Sequence, residues 1–335
     1  MARSKQTKIV FPPYGVLNQD EAANLGLRVP THWMPPPGAP GGTPEKQWSD
    51  WLDGVIAQIN RVIWPCWDSE CNSWIPAESV EHMEALTRAD LCVLQKMEPH
   101  SNRGLDTRPN SPNRSDTIRP HRQIFIIEDD RALSDDDKKI PFASYYDTYD
   151  SALPKGIADS VRPLFFNSLH QKVLNTPYQV KARLQRPRPY QTALLLGFPA
   201  FVNEVAQTGL TPSSCSGHCL QGAIGMGGVY EFLIAGGVSM DAKNLDSMRQ
   251  YAMDIGDRRV MAGVHYPSDN LCSWIIALHL ADRVYRNPSV KPWLWQAIST
   301  RSAVYAAIRD NVGEPCGKAL KPAWDYMHSL APAAK

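Results

Sequence analysis

Three short stretches carry residue types suited to gathering an oxyanion and attacking it. The first is Lys181-Ala182-Arg183-Leu184-Gln185-Arg186-Pro187-Arg188-Pro189. Pro187 has no N–H, and Pro189 holds Arg188 out of the α region, so the helix carrying Lys181 is expected to end near Gln185. Arg188 is then left on a stiff turn. A guanidinium there supplies a planar fork of donors and Lys181 a point charge, a combination that suits an oxyanion. The second is Ser213-Ser214-Cys215-Ser216-Gly217-His218-Cys219, ahead of an apolar helix. Ser216 is a good N-cap, Gly217 lets the backbone approach a ligand, and the helix start favours an anion beside which His218 can donate a proton. The third runs from Arg258-Arg259 through Gly263 and His265 to Pro267-Ser268-Asp269. Gly263 reads as a helix C′ residue, and Pro267 and Asp269 as the first turn of the next helix. Four positions separate His265 from Asp269, so the carboxylate can hold the imidazole in one tautomer, the base–orienter pairing of nucleophilic sites.

Each stretch also has a plain structural reading. The basic run can complement a helix dipole, Ser216 can cap an ordinary helix, and Asp269 can cap another beside a structural histidine. Zinc held by Cys215, His218 and Cys219 is a further alternative, although no second cluster with metal spacing accompanies it.

The elements that position these residues are mostly helical. Trp48, Trp51, Leu52, Val55, Ile56, Ile59, Val62 and Ile63 recur at helical spacing and predict a helix over 45–64. Further helices are expected near 77–97, 143–152, 155–174, 177–185, 190–207, 217–236, 240–262, 267–286, 291–311 and 319–330. Residues 1–44 read as a Pro/Gly-rich arm, 99–122 as a long polar loop, and Ile124–Ile127 as a short strand. The fold expected is an all-α bundle. Residues 1–142 form a partly irregular N-terminal extension packing on a helical core over 143–335.

Taken together, the three stretches resemble the signature of the phosphatidic-acid-phosphatase type 2 and vanadium haloperoxidase superfamily: Lys-x6-Arg-Pro, then (Pro)-Ser-Gly-His, then (Ser)-Arg-x5-His-x3-Asp. Lys181 to Arg188-Pro189 matches the first part, Ser216-Gly217-His218 the second, and Arg259, His265 and Asp269 the third. The match covers 181–269, about a quarter of the chain. Cys215 stands where Pro is usual, and Arg258 where Ser is usual. The resemblance implies metal-independent hydrolysis of a phosphate monoester through a phosphohistidine. His265 would be the nucleophile, Asp269 its orienter and His218 the acid and then the base. Lys181, Arg188 and Arg259 would neutralise the phosphoryl oxygens, with Ser216 and Gly217 adding hydrogen bonds. No cofactor is required on this reading, and vanadate is expected to inhibit as a transition-state mimic.

Three branches of the superfamily are separated by what surrounds the motifs. Membrane lipid phosphatases carry several spans. Here the most apolar stretch, Leu220 to Met240, contains Gln221 and Glu231, so a small soluble phosphomonoester is the expected substrate. Haloperoxidases use vanadate as a cofactor in the same anion site and typically have a long insertion between the second and third motifs. In this chain His218 and Arg259 are 41 positions apart, closer to soluble acid phosphatases. A non-catalytic phosphate-binding or interaction protein is the reading from another class.

The composition sets outer bounds. The 335 residues carry a formal net charge of +1, with 21% charged residues, which argues against general nucleic-acid binding. Asn102 to Arg122 is basic but lacks the interleaved aromatics of a nucleic-acid groove. Seven cysteines leave at least one unpaired. No secretory signal is seen, so a reducing cytoplasm is the simplest expectation. An exported, periplasmic protein with Cys66 and Cys71 paired is the alternative. The extension is expected to serve as a lid, a wall of the pocket or an interface of a homo-oligomer, and its tryptophans favour burial.

Overall fold

The computed structural model describes residues 28–68, 70–75, 79–102, 164–165, 167–173, 175–198, 211–261 and 263–333. They are mostly helical, and the only described strands form one small hairpin. Helix α1 spans Pro44–Val62. Thr43 caps it by accepting from the Lys46 N–H at 3.3 Å, and Pro44 opens it where no N–H is needed. Its stripe of Trp48, Leu52, Val55, Ile56 and Ile59 is buried. Each such side chain contributes about 1.5–3 kcal/mol when it leaves water.

Strands β1 (Cys66–Asp68) and β2 (Ser73–Ile75) come next as an antiparallel pair, with Trp67 opposite Trp74. Asp68 Oδ1 closes the turn by accepting from the N–H groups of Glu70 and Cys71. Strands of three residues are too short to print an alternating pattern, and no strand is expected there from the sequence. Helix α2 spans Ser79–Asn102, past the expected end at 97 and into the expected loop from 99. The remainder of that loop, the expected strand at 124–127 and the helix at 143–152 lie outside the described residues.

After a π-helical turn at Leu169–Val173 come α3 (Thr176–Leu184), α4 (Pro189–Leu195), α5 (Gly217–Ala235), α6 (Ala242–Met261) and α7 (Pro267–Val284). Then come α8 (Val290–Arg301), α9 (Ala303–Arg309), a short 3-10 turn at Lys318–Leu320 and α10 (Lys321–Ser329). Helix α7 is the axis of the packing and is buried along nearly its whole length, from Pro267 to Val284. Helices α1, α2, α5, α6, α8, α9 and α10 all pack against it. The central Trp274–Leu278 run of α7 is apolar, and the buried Ser268 and Asp269 of its first turn face the cluster around His265.

Helices α5 and α6 meet almost backbone to backbone. A Cβ on Gly256 would lie 2.6 Å from Cys219 Cβ, and one on Gly222 2.7 Å from the Ala252 carbonyl oxygen. Glycine is what permits that approach.

Two expected helices are corrected. The one predicted for 190–207 ends at Leu195. Gly197 turns left-handed at φ 75° and the Phe198 N–H reaches back to the Ala193 carbonyl at 2.8 Å, while residues from 199 lie outside the described set. The one predicted for 291–311 is broken at Ser302. Its extended backbone and its hydroxyl, which accepts from the Tyr305 N–H at 3.0 Å, start α9 afresh. Asp257 reinforces that start by accepting from the Ala303 N–H at 2.6 Å and the Ser302 hydroxyl at 2.8 Å.

The alternative cysteine pairing is corrected, and a pair the sequence does not indicate is found. Cys92, midway along α2, is joined to Cys316 beside the 3-10 turn, with their Cα atoms 6.2 Å apart. Cys66 and Cys71 stay free, because the hairpin register sets Cys66 opposite Ile75 and leaves Cys71 in the exposed turn. Among the described residues, no helix is long and apolar enough to cross a membrane.

Candidate active site

The end of α3 aims the first cations. Gln185 adopts a left-handed conformation (φ 45°), which turns the chain out of the helix where the prolines demand it. Arg186 and Arg188 thus lie on a two-proline bridge between α3 and α4, and both are fully buried. Arg188 ties the other two stretches together. Its Nε donates to the Thr211 carbonyl at 2.6 Å and its Nη2 to Thr211 Oγ1 at 3.2 Å. Its Nη1 donates to the Val264 carbonyl at 2.6 Å and lies 3.0 Å from His265 Nε2.

The second stretch is a pinned loop. Lys181 Nζ donates to the carbonyls of Pro212 and Ser213, the latter at 3.2 Å. Ser216 has the extended backbone of an N-cap, and its Oγ accepts from the Cys219 N–H at 3.4 Å. The Ser273 hydroxyl of α7 holds the Ser216 carbonyl at 2.8 Å. Gly217 and His218 lie in the first turn of α5 and are half-buried, whereas Lys181, Arg188, Ser216, Arg259, His265 and Asp269 are buried.

The third stretch delivers the imidazole. Gly263 takes φ 70° at the end of α6, and the N–H groups of Val264 and His265 fold back onto the Arg259 carbonyl. Asp269 lies in the first turn of α7, where its Oδ2 accepts from the Tyr266 N–H at 2.9 Å and from the Ser213 hydroxyl. The same oxygen lies 3.0 Å from His265 Nδ1. Burial alone would raise the Asp269 carboxyl. The Arg186 charge, His265 and the Ser213 hydroxyl outweigh it and hold the group well below the usual carboxylate range. An ionised carboxylate can only accept, so His265 carries its proton on Nδ1 and presents a lone pair on Nε2.

The surroundings keep both histidines neutral. Burial, then the charges of Arg188 and Lys181, push His265 well below the ordinary histidine value against the pull of Asp269. Burial, then Arg259, Lys181 and Arg188, do the same to His218. Lys181 and Arg188 thus act on both histidines and Arg259 on His218, which links five of the eight residues singled out in the sequence, and Asp269 joins them through His265. Ser216 adjoins them through its loop.

Gly217 has a weaker structural reason than expected. A Cβ there would meet Pro177 Cβ at 3.5 Å, an ordinary contact, so nothing in the protein itself demands glycine. The zinc alternative is not supported. Among the described residues, no group of three His, Cys, Asp or Glu side chains is placed to hold a metal, and Cys215 instead lies beside Cys272.

Sequence reasoning gives no role to Thr211, Ser213, Ser268, Arg186 or Asp90, which surround the site in space. Arg186 stands within the first stretch, two residues before Arg188. Asp90 carries no sequence signal, since a single aspartate in an amphipathic helix reads as a solvated face. No family model, no curated protein and no solved structure matches the chain.

Proposed function

We propose that the chain is a metal-independent phosphomonoester hydrolase of the phosphatidic-acid-phosphatase type 2 and haloperoxidase kind, with a bundle of that type as its core. The carrying observation is the line Asp269 Oδ2–His265 Nδ1 (3.0 Å) and His265 Nε2–Arg188 Nη1 (3.0 Å). A histidine lone pair, fixed by a carboxylate and facing a guanidinium, is the geometry an in-line attack on a phosphoryl group needs. A phosphoryl oxygen takes over the Arg188 donor when the ester binds, which frees the lone pair to attack.

In the first step a bond forms from His265 Nε2 to phosphorus and the ester P–O bond breaks, with His218 giving its proton to the leaving oxygen. In the second, His218 takes a proton from water, the water oxygen bonds to phosphorus, and the P–N bond breaks to restore neutral His265. Asp269 stabilises the positive charge that develops on His265. Lys181, Arg188 and Arg259 spread the charge of the phosphoryl oxygens, with Ser216 and the Gly217 N–H beside them.

His218 must enter this cycle protonated, although burial first and then the three cations hold it neutral. The dianionic ester offsets those cations, so proton uptake by His218 is coupled to substrate binding. This supports a bell-shaped pH dependence on the acid side of neutrality.

The test is phosphate release from p-nitrophenyl phosphate between pH 4 and 8 with EDTA present, for wild type and His265→Ala. Activity that resists EDTA and disappears in the variant is expected, with inhibition by vanadate. No release at any pH overturns the general phosphatase assignment. Peroxide-dependent halide oxidation after vanadate loading would then identify the haloperoxidase alternative.

A further inference from the structure

The first two helices do more than pack on the core, because α2 sends one carboxylate into the polar cluster behind His265. Asp90 is fully buried. Its Oδ2 accepts from Arg186 Nη2 at 2.7 Å, and its Oδ1 accepts from the Ser268 N–H at 2.9 Å. Its Oδ2 also accepts from the Ser268 hydroxyl. Arg186 in turn donates through Nη1 to Asp269 Oδ1 at 3.2 Å and to Ser268 Oγ at 2.6 Å. Its guanidinium is clamped between two rings, 3.8 Å from the Tyr266 centroid and 4.7 Å from that of Trp64. Trp64 lies just past the end of α1, so both early helices contribute to holding this one cation. The chain of contacts therefore runs Asp90–Arg186–Asp269–His265.

We propose that Asp90 and Arg186 are positioning residues that set the orientation and charge of the Asp269–His265 pair, so that α2 completes the active site. The inference rests on the reading of His265 as the nucleophile. Asp269 has two oxygens and two tasks. Oδ2 serves His265, Tyr266 and Ser213, while Oδ1 is anchored by Arg186. A carboxylate held at both oxygens cannot swing, which fixes the imidazole it orients.

The same contacts tune charge. Arg186 offsets part of the Asp269 charge and so weakens its pull on a proton at His265. Asp90 offsets Arg186 and so restores part of that pull. The other charged groups that face the pair are Arg188 on the proline bridge and Lys181 on α3, with Arg259 of α6 and His218 of α5 in the same cluster. Cys215 and Cys272 lie beside Asp269. Asp90 reaches His265 through Arg186, through Ser268 in the first turn of α7, and by its charge beside Asp269, and removing that charge lowers the pull on a His265 proton by each electrostatic route.

The experiment uses the full chain labelled with 15N-histidine, comparing wild type with Asp90→Asn, Arg186→Met and the double variant. The His265 signal is identified by its loss in His265→Asn. Asp90→Asn leaves Arg186 less compensated and is expected to move the His265 titration down. Arg186→Met is expected to move it up by about one pH unit, the low end of what an adjacent charge does. The double variant removes one of the two carboxylates that Arg186→Met leaves without its cation, so it keeps the test alive where Arg186→Met fails to fold. It is expected to shift His265 upward by less. In the phosphatase assay each folded variant should lose about 10–100-fold in kcat with KM little changed, the usual cost of a displaced supporting partner.

A merely structural role predicts lowered Tm with no movement of the His265 titration or tautomer. That result in folded Asp90→Asn and the double variant overturns the proposal. The NMR reading does not depend on turnover. Opposed shifts in a protein that releases no phosphate would uphold the positioning chain while rejecting the phosphatase reading.

Discussion

Replacing Asp269 with Asn keeps shape and removes charge, and the surrounding hydrogen bonds decide how the site responds. Four donors converge on the carboxylate: Arg186 Nη1 on Oδ1, and His265 Nδ1, the Tyr266 N–H and the Ser213 hydroxyl on Oδ2. An amide can offer its carbonyl to only one side. If the oxygen faces His265, the NH2 group opposes a guanidinium N–H inside the core. If the oxygen faces Arg186, the Ser213 hydroxyl can rotate to accept, the Tyr266 N–H loses its partner, and Arg188 Nη1 gives up His265 Nε2 while keeping the Val264 carbonyl. A hydrogen bond to a charged group is worth about 1.5–3 kcal/mol and a neutral one about 1, and with the ester bound a phosphoryl oxygen takes the Arg188 donor, so the second orientation is the one expected in the complex. The amide then donates to His265 Nδ1 and the imidazole proton moves to Nε2, opposite Arg188 Nη1. On the phosphohistidine reading, the lone pair is then gone from the attacking nitrogen, and no carboxylate steadies the imidazolium that would develop.

A carboxylate-to-amide change that inverts a catalytic tautomer costs about 10^4 in kcat in serine-protease triads, or about 5 kcal/mol at 1.36 kcal/mol per decade. The expected loss here is about 10^3–10^4 in kcat. Arg186 keeps Asp90 as its partner, so the fold should survive. The assay is single-turnover phosphate release, with circular dichroism and 15N histidine spectra on the same samples. A folded Asp269→Asn protein within tenfold of wild type refutes the reasoning, as does a full loss with His265 still protonated on Nδ1.

Further outcomes are expected elsewhere in the molecule. His265 is held neutral in the fold but binds a proton in the unfolded chain below its ordinary value of 6.5. Its contribution to stability is therefore present above pH 6.5 and is lost as pH falls, by up to about 1.4 kcal/mol per pH unit. Denaturant unfolding between pH 5 and 7 should show His265→Asn gaining on wild type at the acid end, and parallel profiles would contradict this. Gly256→Ala places a Cβ 2.6 Å from Cys219 Cβ and 2.8 Å from its Cα, which forces α5 and α6 apart. A loss of about 1–3 kcal/mol in urea unfolding is expected, with activity lowered because His218 rides on the same turn. The Cys92–Cys316 bridge closes a sequence separation of 224 residues, which chain entropy values at about 5 kcal/mol. Dithiothreitol should lower the Tm of wild type and leave Cys92→Ser unmoved, whereas an unchanged wild-type Tm would show that the bridge does not form.

The local devices of the site are legible in the sequence because each is dictated by one or two residues. Pro187 and Pro189 stop α3 near Gln185, Ser216 caps α5, Gly263 ends α6, and Pro267 with Asp269 starts α7. The long amphipathic stripe of α1 is equally readable. Three-residue strands leave no period to read, and a polar Ser302 inside an otherwise helical run does not announce that Asp257, 45 positions away, restarts the helix there. Cysteine counting does not pair Cys92 with Cys316, because pairing depends on which turn of α2 faces the 3-10 segment.

Residue order alone thus accounts for the mostly helical character of the chain and for the helix ends that carry Lys181, Arg188, His218, His265 and Asp269. It also accounts for the i, i+4 relation that lets Asp269 hold His265. The tautomer of His265 is set in three dimensions, because it depends on the donors Ser213, Tyr266 and Arg186 crowding one carboxylate. Packing likewise brings in Asp90, 179 positions before Asp269 in the chain. A buried cation between two carboxylates is a property of packed helices, and no spacing along the chain encodes it.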